Sequence, residues 1–346
     1  MMFSEKDKIE SQPLVSIICF CKNAAGTIGR AIESILAQDY PNIQVVVQDG
    51  NSTDGTLEIL KSYGSRIELV SEPDHGPGDA MFRALARVRG EFFGSCLADE
   101  QLLPHAVAWA VENLRRRPDA GGIYGDNYLL DTNGTIIGLV RPGPWDFGKF
   151  MRSEFMPTFC AAFFRTACYL EVGPRHYSGC GEFEFWLRLG AHFPIYYLSE
   201  IVAGYGLSRQ QLSQQIDDLH LQAKSRKQAL ESLFSHLVPG SQYAHERSSA
   251  MAGVDVWLTE YYAKCGAWNL AVEAFRRAAS TMCRSRRMVR VGRLIVGHGI
   301  GLAKAGKFFQ AREFLRLPLE FPASFPELVP LLKTIESRKV PAGELT

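Results

Sequence analysis

The first hundred residues alternate short apolar runs with segments whose apolar residues recur at helical spacing, and this alternation most constrains the fold. A strand followed by a helix, repeated several times, favours an α/β fold with a mostly parallel sheet and right-handed crossovers. The predicted strands are residues 15–20, the run that begins at Val45, residues 67–70 and residues 92–98. Helices are predicted over 27–38, from 54–56 onward, over 79–87 and from about Pro104.

The pattern changes after the fourth predicted helix. Residues 123–130 and 135–140 flank Asn133-Gly134, a hairpin turn signal, which predicts an antiparallel element beside the parallel strands. From about residue 214 onward strand patterns cease and helical periodicity continues. The predicted domains are an N-terminal tail over 1–12, an α/β domain over 13–213 and a helical domain over 214–346.

Two segments of the helical region are similar at a fixed offset. Ala263-Lys264-Cys265-Gly266 corresponds to Ala303-Lys304-Ala305-Gly306, and each position in the second is 40 higher than in the first. This similarity predicts a duplicated helical hairpin. The small residues make it resemble tetratricopeptide-type packing, which would imply a protein partner. The alternative is a plain helical cap on the α/β domain.

Composition excludes several classes of protein. The residues are 46% apolar and the formal net charge is +1, and this balance gives no reason to expect a nucleic-acid partner, which would call for a clustered basic face with aromatic platforms. No apolar run approaches the roughly 18 residues of a membrane span, and the charged segment 1–8 lacks the apolar core of a signal peptide. The 8 cysteines include no C-x-x-C pair, which argues against zinc and disulfide frameworks. We expect a cytoplasmic protein without a nucleic-acid partner.

Acidic side chains follow three of the predicted strands. Asp49 leads into Ser52-Thr53-Asp54, Asp79 follows the third strand, and Asp99-Glu100 follows the fourth. The carboxyl ends of parallel strands share one edge, where open α/β sheets bind ligands, so these groups should converge. Clustered carboxylates repel one another unless a cation lies among them. Mg²⁺ or Mn²⁺ with a nucleoside diphosphate would suit this edge.

A further acidic pair, Glu182 and Glu184, begins an amphipathic segment far along the chain. Carboxylates in the first turn of a helix favour its dipole, so both residues have a structural explanation. Either one could instead serve as a general base.

Short motifs recur in a consistent order between residues 13 and 213. They are residues 13–18, 38–43, 49–56 and 71–76, followed by Tyr124-Gly125-Asp126, Phe163-Phe164-Arg165 and Trp186-Leu187-Arg188-Leu189. Together they resemble the motifs of the family 2 inverting glycosyltransferases, and their shared order makes the resemblance more specific than any lone motif. The resemblance implies the GT-A fold, a Rossmann-like α/β catalytic domain, followed here by the all-α region.

The resemblance also implies roles on the donor side. Asp49 would hydrogen-bond the base of a nucleotide-sugar donor, with the loop residue Phe20 and Ser52 beside it. Asp79 would lie near the nucleotide and its ribose. Asp99 falls in the metal-binding motif of the family.

The same resemblance implies the chemistry. Asp99, with Glu100, would hold Mg²⁺ or Mn²⁺ against the two phosphates of the donor. Glu182, or otherwise Glu184, would accept the proton of the acceptor hydroxyl, and a single displacement would invert the anomeric centre. The implied reaction moves a sugar, most simply from a uridine diphosphate sugar, to a saccharide or lipid-linked glycan in surface polysaccharide synthesis.

The chain departs from the family pattern on the phosphate side. Ala98 and Glu100 stand where many relatives carry consecutive aspartates, Gly206 replaces a frequent arginine, and Ser208 replaces a frequent histidine. These changes remove ligating or cationic groups. The alternative function is therefore a degenerate GT-A module that binds nucleotide or glycan without turnover and acts as an assembly scaffold through its helical region.

Two of the singled-out regions have simpler explanations. Ser52-Thr53-Asp54 could be a turn and helix cap, since these residue types favour such positions, and Asp99-Glu100 could be a solvated loop. The arginines at 284, 286, 287, 290 and 293 could contact anionic lipid head groups, as a lipid-linked acceptor would require. A solvated helix face is the alternative for these arginines.

Overall fold

The computed structural model describes residues 12–173, 181–207, 216–237, 241–282, 285–322, 325 and 329. For Phe308 and Phe309 it describes the backbone alone. The described residues belong to two compact units. The first takes in residues up to 150, 155–212 and 224–233, and the second takes in 151–154, 213–223 and the residues from 234 onward.

The first unit alternates strands and helices before it becomes irregular. Its strands are β1 (Val15–Cys21), β2 (Ile43–Asp49), β3 (Glu68–Ser71), β4 (Phe92–Ser95), β5 (Gln101–Leu102), β6 (Gly122–Leu130), β7 (Ile136–Val140), β8 (Ala162–Arg165) and β9 (Ile195–Gly206). The helices up to residue 192 are α1 (Ile28–Leu36), α2 (Thr56–Ser62), α3 (Pro77–Leu85), α4 (Ala106–Arg115), α5 (Phe147–Met151), α6 (Thr166–Val172) and α7 (Gly181–His192). The four predicted strand–helix repeats are confirmed, with shifts of a few residues at their ends.

All nine strands form one sheet in the order β3-β2-β1-β4-β8-β6-β9-β5, with β7 paired to β6. The β3-β2-β1-β4 half is parallel throughout, as the alternation predicts. Beyond β4 the sheet is mixed, because β8 runs antiparallel to both of its neighbours. The predicted hairpin is also present: β6 and β7 pair antiparallel around a turn in which Gly134 has φ 85°. The domain is thus Rossmann-like over its first half.

Both faces of the parallel half are covered, which explains the nearly continuous apolar strands. On one face α1 buries Ile28, Ala31, Ile32 and Ile35, a set with the helical spacing seen in the sequence. Elsewhere in the unit an aromatic cluster is centred on Phe164, whose ring lies 4.7 Å from that of Phe185 in an edge-to-face arrangement. Such rigid packing fixes the positions of the loops at the carboxyl edge of the sheet.

The second unit contains two helical hairpins. Among the described residues after 215, the helices are α8 (Ile216–His236), α9 (Arg247–Lys264), α10 (Trp268–Met282), α11 (Arg286–Lys304) and α12 (Phe308–Glu320), and residues 224–233 of α8 belong to the first unit. α9 packs against α10 and α11 against α12, so the duplicated helical hairpin is confirmed. Its likeness to tetratricopeptide packing stays a prediction, as do the domain bounds of 13–213 and 214–346.

The arginine run falls mainly on α11. Arg287 and Arg290 both contact the Glu260 carboxylate at 2.8 Å, so two of the five arginines form ion pairs within the unit. Arg284 lies outside the described residues. Lipid contact by this face stays a prediction. No helix in the described part of the chain is both long and apolar enough to cross a bilayer.

Candidate active site at the carboxyl edge of the sheet

Asp49 lies at the centre of the carboxyl edge, where three parallel strands end side by side. The register pairs Asp49 of β2 with Cys21 of β1 and with Ser71 of β3. Asp49 is fully buried, and its carboxylate accepts hydrogen bonds from the Ser71 hydroxyl at 2.6 Å, the Ser52 amide at 3.1 Å and the Ser52 hydroxyl. The Cys21 thiol lies 3.7 Å from the same carboxylate.

These donors occupy the roughly four lone-pair positions that a carboxylate offers. A ligand N–H can reach Asp49 only if one of them turns away, and the Ser71 hydroxyl can do so by rotating about one bond. The sequence reasoning assigned no role to Cys21 or Ser71. Their positions as register partners of Asp49 are the signal that would have found them.

The loops after β1 and β2 are tied to each other. The backbone amide of Asn23 donates to the Ser52 hydroxyl at 2.8 Å, and the side-chain oxygen of Asn23 accepts from the backbone amide of Thr53 at 2.9 Å. Asp54 accepts from the Thr56 hydroxyl at 2.5 Å and from the Thr56 amide at 3.1 Å, so it bonds the first residue of α2 from the turn before the helix. The N-cap of α2 is Gly55, which has no side-chain cap, so the predicted cap at Asp54 is one residue early. The Thr56 hydroxyl is the main reason that the pKa of Asp54 is lowered. Phe20 lies inside β1 and is partly exposed, not in the loop as we expected.

Gly50 allows a close approach between three segments of this edge. A side chain at Gly50 would overlap the Asp74 carboxylate and would come within 3.3 Å of Lys22. Asp74 in turn accepts a hydrogen bond from the Gly76 amide at 2.9 Å. Lys22 and Asp74 therefore border the Asp49 loop, and neither was assigned a role from the sequence.

Asp79 lies in the first turn of α3. Its carboxylate accepts from the His75 amide at 3.0 Å and pairs with Arg83 at 2.8 Å. The hydrogen bond from the His75 amide and the Arg83 guanidinium hold the pKa of Asp79 below its usual value. Asp79 therefore remains ionised and fixes the start of α3 at the edge of the site.

The acidic turn after β4 places its two carboxyls differently. Asp99 is partly exposed, whereas Glu100 is 2% exposed and accepts from the Leu97 amide at 2.6 Å. Burial raises the pKa of Glu100 well above its usual value, and the nearby Asp99 and Glu182 carboxylates raise it further. Burial and the bond to the Leu97 amide make Glu100 less available to an ion than the partly exposed Asp99. A metal shared by Asp99 and Glu100 stays a prediction.

Glu182 is the second residue of α7, and α7 begins beside α3. A side chain at Gly181 would lie 2.9 Å from Met81 and 3.4 Å from Gly78 of α3. Burial raises the pKa of Glu182 from 4.5 to about 7, against the opposing effect of Arg226. Because Glu182 also contributes to the raised pKa of Glu100, the two segments converge although they are far apart in the chain.

Glu184 lies on a different side of α7. It is 1% exposed and forms an ion pair with Arg188, one turn further along the helix. Arg188 also donates to the Val172 carbonyl at 2.8 Å, which links α7 to α6. This geometry gives Glu184 a structural role and does not favour it as the general base.

Gly206 closes the site on the side of β9. A side chain here would overlap the Asp99 carbonyl oxygen and would lie 2.9 Å from the Asp99 Cβ. The arginine that many relatives carry at this position would therefore displace the acidic turn. Ser208, the other substituted position, lies outside the described residues.

A model of the family described as "Glycosyl transferase family 2" matches residues 16–168, the segment that carries Asp49, Asp79 and Asp99. Residues 16–168 belong to glycosyl transferase family 2. The predicted resemblance is confirmed for the family. The match ends before Glu182, so it does not include the proposed base.

Two curated relatives match this family 2 domain over only a fraction of their own length. A chondroitin synthase from Escherichia coli is 32% identical over 143 residues, which are 39% of this chain and 21% of that protein. An uncharacterized glycosyltransferase from Rickettsia bellii is 34% identical over 145 residues, which are 41% of this chain and 21% of that protein. The chain thus spans about a fifth of the length of these relatives.

Solved structures share the fold over most of the chain. TarS 1-349 from S. aureus, in complex with UDP-GlcNAc, aligns with a TM-score of 0.56 at 15% identity and covers 87% of this chain and 89% of that one. The mannosyltransferase PcManGT from Pyrobaculum calidifontis, in complex with GDP-Man and Mn²⁺, aligns with a TM-score of 0.56 at 17% identity, over 96% of this chain and 89% of that one. The GT-A fold followed by a helical region is confirmed.

The described side chains do not by themselves complete a metal site. Among the described residues, no group of three His, Cys, Asp or Glu side chains is arranged to hold an ion. Mg²⁺ in nucleotide sites is often held by one or two carboxylates, while phosphates and waters complete its shell. Asp99, partly exposed in the acidic turn after β4, fits a site of that kind, in which the ion would bind together with the nucleotide.

Proposed function

We propose that the chain is an inverting glycosyltransferase that moves a sugar from a nucleoside diphosphate donor to a hydroxyl of a saccharide or lipid-linked glycan. The observation that carries the proposal is the position and environment of the Glu182 carboxyl. Glu182 lies at the start of α7 beside α3 and near the acidic turn of Asp99 and Glu100, and burial raises the pKa of its carboxyl to about 7. A base whose pKa lies near the working pH is the most efficient at taking a proton from a hydroxyl.

The donor would bind across the ends of β1, β2 and β3. Phe20, partly exposed at the end of β1, and Ser52 are the proposed contacts of the base beside Asp49. Asp79 at the start of α3 is the proposed contact of the ribose. The TarS complex with UDP-GlcNAc supports a uridine nucleotide as the first donor to test.

Asp49 would act mainly by shaping the donor site. Its hydrogen bonds from Ser52 and Ser71 connect the loop after β2 to the end of β3. When a nucleotide base binds, rotation of the Ser71 hydroxyl frees one carboxylate position for a base N–H. Loss of the Asp49 carboxylate would then affect both the loop and the choice of base.

The chemical step would use Glu182 on the acceptor side. Its carboxylate accepts the proton of the acceptor hydroxyl as that oxygen bonds to the anomeric carbon. The bond from this carbon to the diphosphate oxygen breaks on the opposite face, so the electron pair leaves with the nucleoside diphosphate and the configuration inverts. Asp99 would hold Mg²⁺ or Mn²⁺ together with the diphosphate, and the bound ion would supply positive charge to the leaving group.

The proposed setting is the synthesis of a surface polysaccharide. The chondroitin synthase of Escherichia coli and a hyaluronan synthase of Pasteurella multocida, 28% identical over 164 residues, support a polysaccharide as acceptor. The sugar and the linkage are open to experiment.

Substitution Glu182→Gln tests the proposal against the scaffold alternative. With uridine diphosphate sugars, Mn²⁺ and a panel of oligosaccharide acceptors, we expect the wild-type chain to release nucleoside diphosphate. We expect the variant to lose at least about a thousandfold in rate with nearly unchanged affinity for the nucleotide, because a base acts only in the chemical step. Equal release by both proteins would reject Glu182 as the base. Nucleotide binding without release by the wild type would favour the scaffold.

A further inference from the structure

The helical unit contains a cavity that the proposed transferase reaction does not use. Its volume is about 810 Å³, within the range of roughly 300–1,000 Å³ typical of small-ligand sites. It is lined by the loop before α10 and the first turn of α10, by the C-terminal half of α11, and by α12. All of these segments belong to the second compact unit.

One wall of the cavity is aromatic. The rings of Trp268 and His298 stack with centroids 4.1 Å apart and an interplanar angle of 9°, and Phe314 meets His298 edge-on at 5.1 Å. Burial lowers the pKa of His298, so its ring is neutral near neutral pH and stacks as an aromatic surface. Trp268 is partly exposed. This arrangement provides a flat aromatic surface that is already ordered. Little conformational entropy is therefore lost when a ligand packs on it.

The rim of the cavity is polar and carries net positive charge. Asn269, Gln310, Arg312 and Arg316 line it and are exposed. Glu313 is the acidic lining residue, and its carboxylate pairs at 2.7 Å with Arg276, which also pairs with Glu320 at 2.8 Å. Two guanidinium groups and one carboxylate therefore line the rim, which leaves its side chains with net positive charge. Guanidinium groups bind carboxylates and phosphates through paired hydrogen bonds.

We propose that this cavity binds an acidic saccharide, with a sugar ring packed on Trp268 and its anionic group held by Arg312 and Arg316. The C–H face of a pyranose is apolar and flat, so it matches an aromatic platform, while ring hydroxyls match the side-chain amides of Asn269 and Gln310. The anionic group is a carboxylate or a phosphate, which the same guanidinium pair accommodates. The cavity belongs to the second unit and the proposed donor site to the first. A role in retaining a glycan chain during synthesis rests on the proposed function.

Calorimetric titration of the full chain tests this site with defined ligands. The carboxylate arm uses tetragalacturonate, the phosphate arm uses glucose 1-phosphate, and maltotetraose is the uncharged control. We expect at least one acidic ligand to bind, with an affinity that weakens as salt is added, and the uncharged ligand to bind at least tenfold more weakly. Equal binding of maltotetraose, or no binding of either acidic ligand, would overturn the proposal.

Substitutions of the lining residues test whether the acidic ligand binds in this cavity. The exposed pair Arg312→Gln with Arg316→Gln should lower the affinity at least tenfold without changing the unfolding temperature, and Trp268→Phe should retain more affinity than Trp268→Ala. The matched control is Arg286→Gln, since Arg286 begins α11 and lies roughly 18 Å along the helix from His298. Unchanged affinity in the double variant would overturn the assignment to this cavity.

A competition experiment separates this site from the transferase site. Saturating uridine diphosphate with Mn²⁺ should leave the affinity for the acidic ligand unchanged. If the nucleotide displaces it, the saccharide was binding in the donor site and the cavity proposal fails. If a Glu182→Gln protein that shows no turnover still binds the acidic ligand, the saccharide-binding proposal is supported. This result does not depend on whether the transferase proposal is correct.

Discussion

At the scale of single residues, environment gives the carboxylates of this domain different properties. Asp79 accepts a backbone amide hydrogen bond and pairs with Arg83, so its pKa falls. Glu182 lies in a desolvated position where only Arg226 opposes burial, so its pKa rises to about 7. When neighbouring carboxyl groups have pKa values shifted in opposite directions, they commonly serve different roles in one active site, such as acid, base or anchor.

The pH dependence of transfer follows from Glu182. A base must be deprotonated, so kcat/KM for release of nucleoside diphosphate should rise with pH and level off above about 7. A profile that stays flat between about pH 5 and 8 would contradict this assignment.

Stability should follow the opposite course. Between about 4.5 and 7 the folded state holds a proton at Glu182 that the unfolded chain has lost, so stability falls as pH rises through this range. Urea unfolding of the Glu182→Gln protein should show a smaller loss over the same range. If both proteins lose the same free energy of unfolding over this pH range, other titrating groups cause the loss.

Residue roles were predictable from the sequence only in part. Asp54 bonds the first residue of α2 because Asp favours local hydrogen bonds in turns, and Asp49 reaches the sheet edge because a strand ends there. The difference between Asp99 and Glu100 depends on which side of a turn faces the interior, which no local pattern encodes. The approach of Glu182 to the acidic turn depends on the packing of α7 against α3, and only the family resemblance indicated it.

At the scale of secondary-structure elements, the contact between β9 and the acidic turn determines where Asp99 lies. Gly206→Ala would place a methyl group against the Asp99 carbonyl, which is backbone and cannot easily move. We expect a loss of about 1–3 kcal/mol in stability and weaker metal-dependent nucleotide binding, because the turn must shift.

The matched control for that substitution is Gly29→Ala. Gly29 lies within α1, and its nearest neighbour would be the Tyr63 hydroxyl at an ordinary 3.8 Å. Thermal unfolding and nucleotide titration of both variants would measure the difference. If Gly206→Ala binds nucleotide as the wild type does, β9 does not position the turn.

The two helical hairpins end their first helices in the same way. Gly266 and Gly306 have φ 73° and 76° and donate to the carbonyls of Ala263 and Ala303 at 3.2 and 3.1 Å. Glycine is favoured here because other residues resist positive φ. The fixed offset of 40 in the sequence already indicated this equivalence.

Substitution at either glycine should therefore have the same effect. Gly266→Ala and Gly306→Ala should each cost about 1 kcal/mol in the free energy of unfolding. Gly297→Ala, in the middle of α11 with no atom within 4 Å of the added methyl group, should instead gain about 0.5–1 kcal/mol. Urea unfolding would measure all three. No loss at either positive-φ glycine would contradict the shared cap.

At the scale of the whole molecule, the chain combines a family 2 glycosyltransferase domain with two helical hairpins. The alternation of strands and helices predicted the parallel half of the sheet, because buried parallel strands are apolar throughout. It could not predict the order β8-β6-β9-β5, since these pairings join segments distant in the chain. The cavity beside Trp268 was also beyond sequence reasoning, because three helices contribute to it.

The central claim is that the sheet edge binds a nucleoside diphosphate together with a divalent ion at Asp99. Calorimetric titration with uridine, guanosine, cytidine and thymidine diphosphates, each with Mn²⁺ and again with a chelator, tests it most directly. Asp99→Asn is the test variant. Glu112→Gln, which alters an exposed ion pair with Arg116, is the control.

We predict that one diphosphate binds with Mn²⁺, that the chelator or Asp99→Asn weakens this binding at least tenfold, and that Glu112→Gln leaves it unchanged. Failure of all four nucleotides to bind under either condition would contradict the account.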